Sequence, residues 1–267
     1  MMRNALQDTF ISHLIELRTR LMRALGAVLA AFVVVGFIWP GSQQLYTIFA
    51  TPILAALPAG GQMIATDVVG VFLVPIKVAA LVGFVIALPY VLYEMWAFVA
   101  PGLYAHEKSL VLPLVVASFV LFVLGMAFAY FLVFPLVFNF LASIAPEGVA
   151  WMTDIEKYFS FALTSFVAFG VTFEVPVVVI VLVRAGLVSI EKLKEIRPYV
   201  IVGAFVVGAI FTPPDVVSQV LLALPLWLLY EIGILVARFA GRSSAASGAS
   251  EGGEPDEDLK RTEAAQK

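Results

Sequence analysis

Cysteine is absent from this sequence, and histidine occurs only as His13 and His106. The first absence excludes disulfides, thiolate catalysis and cysteine-based metal centres. The second leaves too few imidazoles for a His-rich metal site. Charge is also scarce: Asp, Glu, Lys and Arg make up 13% of the chain, about half the share in a soluble domain. No internal repeat is visible, which weakens an inverted-repeat transporter. No Ser/His or paired-Asp arrangement falls at membrane depth, so an intramembrane hydrolase is not supported and no enzyme activity is expected. No cofactor, metal or nucleic-acid partner is expected either.

What is present is apolar surface. Hydrophobic residues make up 62% of the 267 and mean hydropathy is +1.02, which places the chain in the membrane class. A helix needs roughly 20 apolar residues to cross the hydrocarbon core. Six runs suggest themselves: Leu21–Trp39, Val71–Phe98, Leu110–Phe140, Tyr158–Val183, Tyr199–Phe211 and Val216–Ala237. They are continuous rather than alternating, so helices are expected and a barrel is not. The fifth run is short, and the sixth is apolar only from Val216 to Tyr230 before Glu231. Thr212-Pro213-Pro214-Asp215 joins these two short helices with an N-cap, a proline at N1 and an acid in the first turn. Such a short pair thins the bilayer, tilts less or associates with neighbours.

Positive charge orients the bundle. Arg3, Arg18, Arg20, Arg23, Lys108, Arg184, Lys192, Lys194, Arg197, Arg238, Arg242, Lys260, Arg261 and Lys267 fall at one set of helix ends, and only Lys157 at the other. The positive-inside rule then puts both termini in the cytoplasm. Met1 to Arg20 is polar and amphipathic and does not resemble a cleavable signal. Its stripe of Leu6, Phe10, Leu14, Leu17 and Leu21 suggests a helix lying on the cytoplasmic face. Residues 1–240 are expected to form the transmembrane domain. Residues 241–267, rich in Ser, Ala, Gly and acids, are expected to be a disordered tail.

A few polar residues stand out. Glu174 lies ten residues before Arg184, hence about 15 Å deep, with Pro176 beside it. It either locks two helices together or forms a functional polar site. Lys77 is expected to snorkel to the interface, and Glu94 and Glu231 to reach it from helix ends, with Glu231 alternatively a partner inside the bundle. Glu16 and Arg20 are spaced for a solvated i,i+4 pair. Trp39, Tyr46, Trp96, Trp151 and Tyr158 read as interface aromatics.

Several strings then carry a resemblance: His13-Leu-Ile-Glu-Leu-Arg-Thr-Arg20, Met63-Ile-Ala-Thr-Asp-Val68, Trp96-Ala-Phe-Val-Ala-Pro-Gly-Leu-Tyr104, Gly125-Met-Ala-Phe-Ala-Tyr130, Phe169-Gly-Val-Thr-Phe-Glu-Val-Pro176, and Arg197-Pro-Tyr-Val-Ile-Val-Gly-Ala-Phe-Val-Val-Gly208 with Thr212-Pro-Pro-Asp215. In order and spacing, from about residue 10 to 240, they resemble the TatC family of the twin-arginine translocase. The resemblance implies an all-α polytopic protein with six transmembrane helices in a concave bundle, the fifth and sixth short. It implies a receptor for twin-arginine signal peptides in a bacterial cytoplasmic (inner) membrane. This receptor works with TatA- and TatB-type single-span subunits, self-associates in a receptor complex, and exports folded proteins on proton-motive force.

By the same resemblance Glu16 and Glu107 meet the signal's arginine pair, and Phe98 lies near them. Glu174 is the intramembrane polar site, Thr212 and Gln219 are partner contacts, and Pro52, Met63 and Asp215 are outer-face positions. Thr19 and Glu94 depart from the residues that relatives often carry. The alternative from another class is a proton-coupled secondary transporter using Glu174.

Overall fold

The computed structural model describes residues 2–56, 63–103, 111–143, 152–211 and 216–251. Helix α1 spans Met2–Val33 and runs through a π-helical turn, Val34–Ile38, before Pro40 ends it. Gly41 turns the chain with φ +87°, in the left-handed region that glycine alone enters without penalty. Helix α2 (Ser42–Ala56) follows, then α3 (Val68–Leu103) and α4 (Val111–Phe128). A second π-helical turn, Ala129–Val133, leads into α5 (Phe134–Ser143). Pro135 explains it: without an N–H it cannot close an ordinary turn onto residue 131, and the helix widens there. Helices α6 (Ile155–Phe173) and α7 (Val175–Arg184) form one rod broken at Glu174, with Pro176 in the first turn of α7. Gly186, at φ +68°, closes α7, as a C-terminal glycine commonly does. Helices α8 (Ile190–Glu195), α9 (Arg197–Phe211) and α10 (Val216–Glu251) complete the described chain. Among the described residues there is no strand, only an isolated bridge between Ile64 and Asp154.

Four of the six expected spans are long and apolar enough to cross a membrane: Ile11–Ile38, Val68–Val99, Val111–Phe138 and Ile155–Arg184. Helix α9 is a shorter apolar helix of 15 residues, about 22 Å long. Helix α10 carries the short apolar stretch expected of the sixth helix. Only its apolar part is short, while the helix runs 36 residues to Glu251 and so enters the segment read as a disordered tail. The N-terminal segment differs too. Residues 2–33 are one unbroken helix, so no separate surface helix precedes the first span.

The principal packing runs from α1 to α3, from α3 to α4 and α6, from α7 to α10 and from α10 to α9. The array is open: α1 leans chiefly on α3 at one edge, and α9 chiefly on α10 at the other. Its centre is aromatic: Phe134 and Phe138 of α5 meet Tyr158, Phe161 and Phe166 of α6 in tilted and edge-on contacts. Such pairs add specificity of geometry to their burial.

Small residues bring the helices close, as expected where lipid offers no hydrophobic drive between them. At Gly83 of α3 a Cβ would meet the backbone N and Cα of Phe32 at 2.7 Å. This seats the backbone of α1 directly on α3 and sets the register between them. Replacing Gly83 with Ala pushes two backbones apart, a change expected to cost about 1–3 kcal/mol. A thermal-unfolding series in detergent would show it, and an unchanged midpoint would mean α1 is not seated there.

Candidate functional site

The register set at Gly83 brings two stripes face to face at the end of the bundle where the basic residues gather. On α1, His13, Glu16, Arg20 and Arg23 recur at intervals of three and four. On the antiparallel α3, Tyr90, Glu94 and Phe98 recur at four. Both spacings place side chains on one helix face. His13 stacks on Phe98 with ring centroids 4.3 Å apart and planes 20° from parallel.

Next to that stack, Arg20 donates from Nε and Nη2 to Glu16 Oε1 at 2.9 and 2.8 Å. It donates from Nη1 to Glu94 Oε2 at 3.0 Å. Tyr90 donates its hydroxyl to Glu94 Oε1 at 2.9 Å, and Arg23 lies 3.9 Å from the same oxygen. Glu16 keeps 40% of its side chain exposed whereas Glu94 keeps 5%. The site therefore presents one open carboxylate and conceals another. The pair at Glu16 and Arg20 is the one the spacing predicted. Glu94 is a correction: it does not reach out to the interface but is the buried hub of the cluster. The signal available was its four-residue spacing from Tyr90 and Phe98.

Glu174 sits at the joint between α6 and α7. Both its carboxylate oxygens are buried without a hydrogen-bond partner among the described residues. The fully buried Ser118 hydroxyl of α4 lies close enough to interact with this carboxyl. Ser118 also accepts from Trp96 Nε1 at 3.0 Å, which leaves its own O–H free to donate. Helix α10 closes against this joint through Gly233, whose missing Cβ would lie 3.0 Å from Pro176 Cα.

At the opposite end, Lys77 and Glu156 form an ion pair at 3.0 Å between α3 and α6. Lys77 is thus bonded to a neighbouring helix rather than snorkelling alone. Asp154 caps α6 by accepting from Lys157 N at 3.0 Å. It also takes the backbone N–H of Thr66 at 3.0 Å and the Thr66 hydroxyl. Ile64 donates to Thr153 O at 3.0 Å and accepts from Ile155 N at 2.9 Å, stitching the segment before α3 to the start of α6. Met63 is half-buried against the aromatic core.

The Thr66 hydroxyl first, then the backbone donors, hold the Asp154 carboxyl down at about 2 against its ordinary 3.8. A depressed carboxyl stabilises the fold above its unfolded value and loses that contribution as pH falls from 3.8 through about 2. Asp154→Asn is therefore expected to lower the unfolding midpoint at neutral pH. The difference from wild type should close in that acid window, and a gap that persisted below it would discount the charge.

Gln219 on α10 donates Nε2 to Phe205 O of α9 at 3.0 Å, and its neighbour Gly208 would bring a Cβ within 3.3 Å of it. Arg197 and Glu231 pair at 2.7 Å, so Glu231 takes the second of its two expected places, a partner between helices. Pro52 falls on α2, its side chain outside the described residues. Glu107, Thr212 and Asp215 lie outside the described residues altogether.

Three comparisons bear on what this arrangement belongs to. The family model for "Sec-independent protein translocase protein (TatC)" matches residues 12–225. The chain is 51% identical over 238 residues to the Sec-independent protein translocase protein TatC of Azotobacter chroococcum mcd 1, covering 89% of this chain and 92% of that one. It is 50% identical over 237 residues to its Escherichia coli K12 counterpart, covering 88% and 91%. A crystal structure described as the twin arginine translocase receptor TatC superposes with a TM-score of 0.74 at 41% identity, covering 86% of this chain and 99% of that one.

Proposed function

Because this chain belongs to the TatC family of Sec-independent protein translocase proteins, we propose that its basic end is the receptor site for twin-arginine signal peptides. The observation that carries the reading is the open carboxylate of Glu16, held on a fixed helix register beside the stacked His13–Phe98 pair. Guanidinium presents a rigid planar fork that a carboxylate accepts through two parallel hydrogen bonds, whereas an ammonium is only a point charge. Glu16 takes one arginine of the pair and Glu107 the other, while Phe98 gives the motif an aromatic wall.

In this reading the basic end faces the cytoplasm of a bacterial inner membrane. The apolar part of the signal follows the bundle inward. The buried carboxyl of Glu174 at the mid-span joint offers a polar contact to it or to a partner subunit. Thr212 and Gln219 on the α9–α10 hairpin receive TatA- or TatB-type single-span subunits, and proton-motive force drives folded cargo across. Pro52, Met63 and Asp215 belong to the opposite, outer face, and the chain self-associates in a receptor complex.

The test is equilibrium binding to the full chain in lipid nanodiscs, with a twin-arginine signal peptide against its twin-lysine version. Selective binding of the arginine form supports the receptor reading. Equal binding of both would sink it. A proton-coupled secondary transporter using Glu174 would instead show substrate uptake into vesicles with no protein cargo present.

A further inference from the structure

The Glu16 carboxylate is already engaged by the chain's own arginine. Arg20 spends two donors on Glu16 Oε1, so only Oε2 remains for another group. A side-on guanidinium fork needs both oxygens of a carboxylate. An incoming arginine therefore cannot make its full contact while Arg20 stays where it is. The third Arg20 donor is committed elsewhere, to Glu94 Oε2 at 3.0 Å. Glu94 is almost wholly buried, and a buried carboxylate stripped of its cation is strongly unfavourable. Tyr90 pins its other oxygen at 2.9 Å, which fixes its direction.

Arg20 thus bridges an exposed acid that can be surrendered and a concealed acid that cannot. We infer that Arg20 is a resident guanidinium which the ligand's arginine displaces from Glu16, and that Glu94 is the positioning residue that retains Arg20 during the exchange. This inference rests on the reading of Glu16 as an arginine receptor.

The charges explain why Glu94 matters to binding without touching the ligand. Glu16 and Glu94 balance Arg20 and Arg23. With Glu94 neutralised, Arg20 has Glu16 as its remaining carboxylate and grips it harder. The cluster also becomes net positive toward a doubly cationic motif. A structural prop alone would predict something else: binding lost through misplacement, and not recovered by removing a further side chain from the same cluster.

The experiment is a double-mutant cycle on the full chain in nanodiscs, read as the Kd of a twin-arginine signal peptide, with a twin-lysine peptide and Glu16→Ala as controls. Glu94→Gln is expected to weaken twin-arginine binding about fivefold, and Arg20→Gln added to it to restore affinity to within about twofold of wild type. Glu94→Gln binding like wild type, or the double variant staying as weak as the single, overturns the exchange. Should Glu94→Gln fail to fold, Arg20→Lys asks the same question with Glu94 intact. An ammonium cannot span both acids, so twin-arginine binding should tighten about threefold, and unchanged or weaker binding overturns it. If the receptor reading itself is wrong, wild type will not distinguish arginine from lysine and Glu16→Ala will bind normally. That pattern is separate from either failure of the exchange.

Discussion

Glu16→Ala combined with Glu107→Ala is expected to abolish the preference for a twin-arginine over a twin-lysine signal peptide, with affinity for the former falling by about 2–5 kcal/mol. The size follows from the kind of contact. A guanidinium–carboxylate fork is charge-assisted and bidentate, and at the proposed site it would form beside an aromatic wall rather than in bulk water. Glu16 stands on α1 within a register that Gly83 and Phe32 fix by backbone contact. The alanine variant therefore removes the carboxylate without moving the helix. The companion Arg20 then loses one of its two acids but keeps Glu94, so the buried charge stays paired. Thermal unfolding of this variant should change little, because an exposed pair contributes well under about 1 kcal/mol. A peptide that binds all combinations alike would be held by the apolar surface alone.

The largest loss of stability is expected at Gly125. A Cβ there would lie 2.5 Å from Phe169 O and 2.9 Å from Gly170 Cα, both backbone atoms of α6. Backbone cannot rotate aside, so α4 and α6 must separate along their closest approach. Gly125→Leu should cost at least about 3 kcal/mol, the upper part of the range for overpacking.

Gly170 makes the informative contrast. Its Cβ would strike the ring of Phe122 at 2.5 Å, a side chain rather than a backbone. Gly170→Ala should therefore be rescued in part by Phe122→Ala, while no side-chain truncation rescues Gly125→Leu. Unfolding midpoints of these variants in detergent decide the matter. A Gly125→Leu protein as stable as wild type would mean that the two helices do not meet there.

The spans were legible because the membrane imposes them: about 20 apolar residues with few charges leave little else to be. Much less could be read about what faces what. Helices α3 and α4 are apolar all round, so periodicity does not mark their packed side, and close approach is set by single glycines such as Gly83 and Gly125. Glu94 illustrates the cost. Taken alone it is an acid near a helix end, and only the pairing of α1 with α3 turns it inward onto Arg20. Lys77 and Glu156 are 79 positions apart, a separation that no local pattern encodes. Helix α2 went unread because its apolar run is short and contains Pro52. The continuity of α1 went unread because an amphipathic stretch before a span gives no sign of where a bend would fall. The resemblance supplied Glu16, Glu107 and Glu174 as a set, which their local sequence could not.

The seat of α1 on Gly83 also leaves the helix a long arm toward its N-terminus. Sixteen residues of rigid helix, about 24 Å, separate the fulcrum at Phe32 from the acid at Glu16. Beyond the fulcrum, the short arm ends near Gly36, which lies against Ala79. A tilt of only about 5° about that point carries Glu16 through about 2 Å, more than the tolerance of a hydrogen-bonded fork. What resists such a tilt is the tie at the far end of the arm, the Arg20–Glu94 bond and the His13–Phe98 stack that hold α1 to α3.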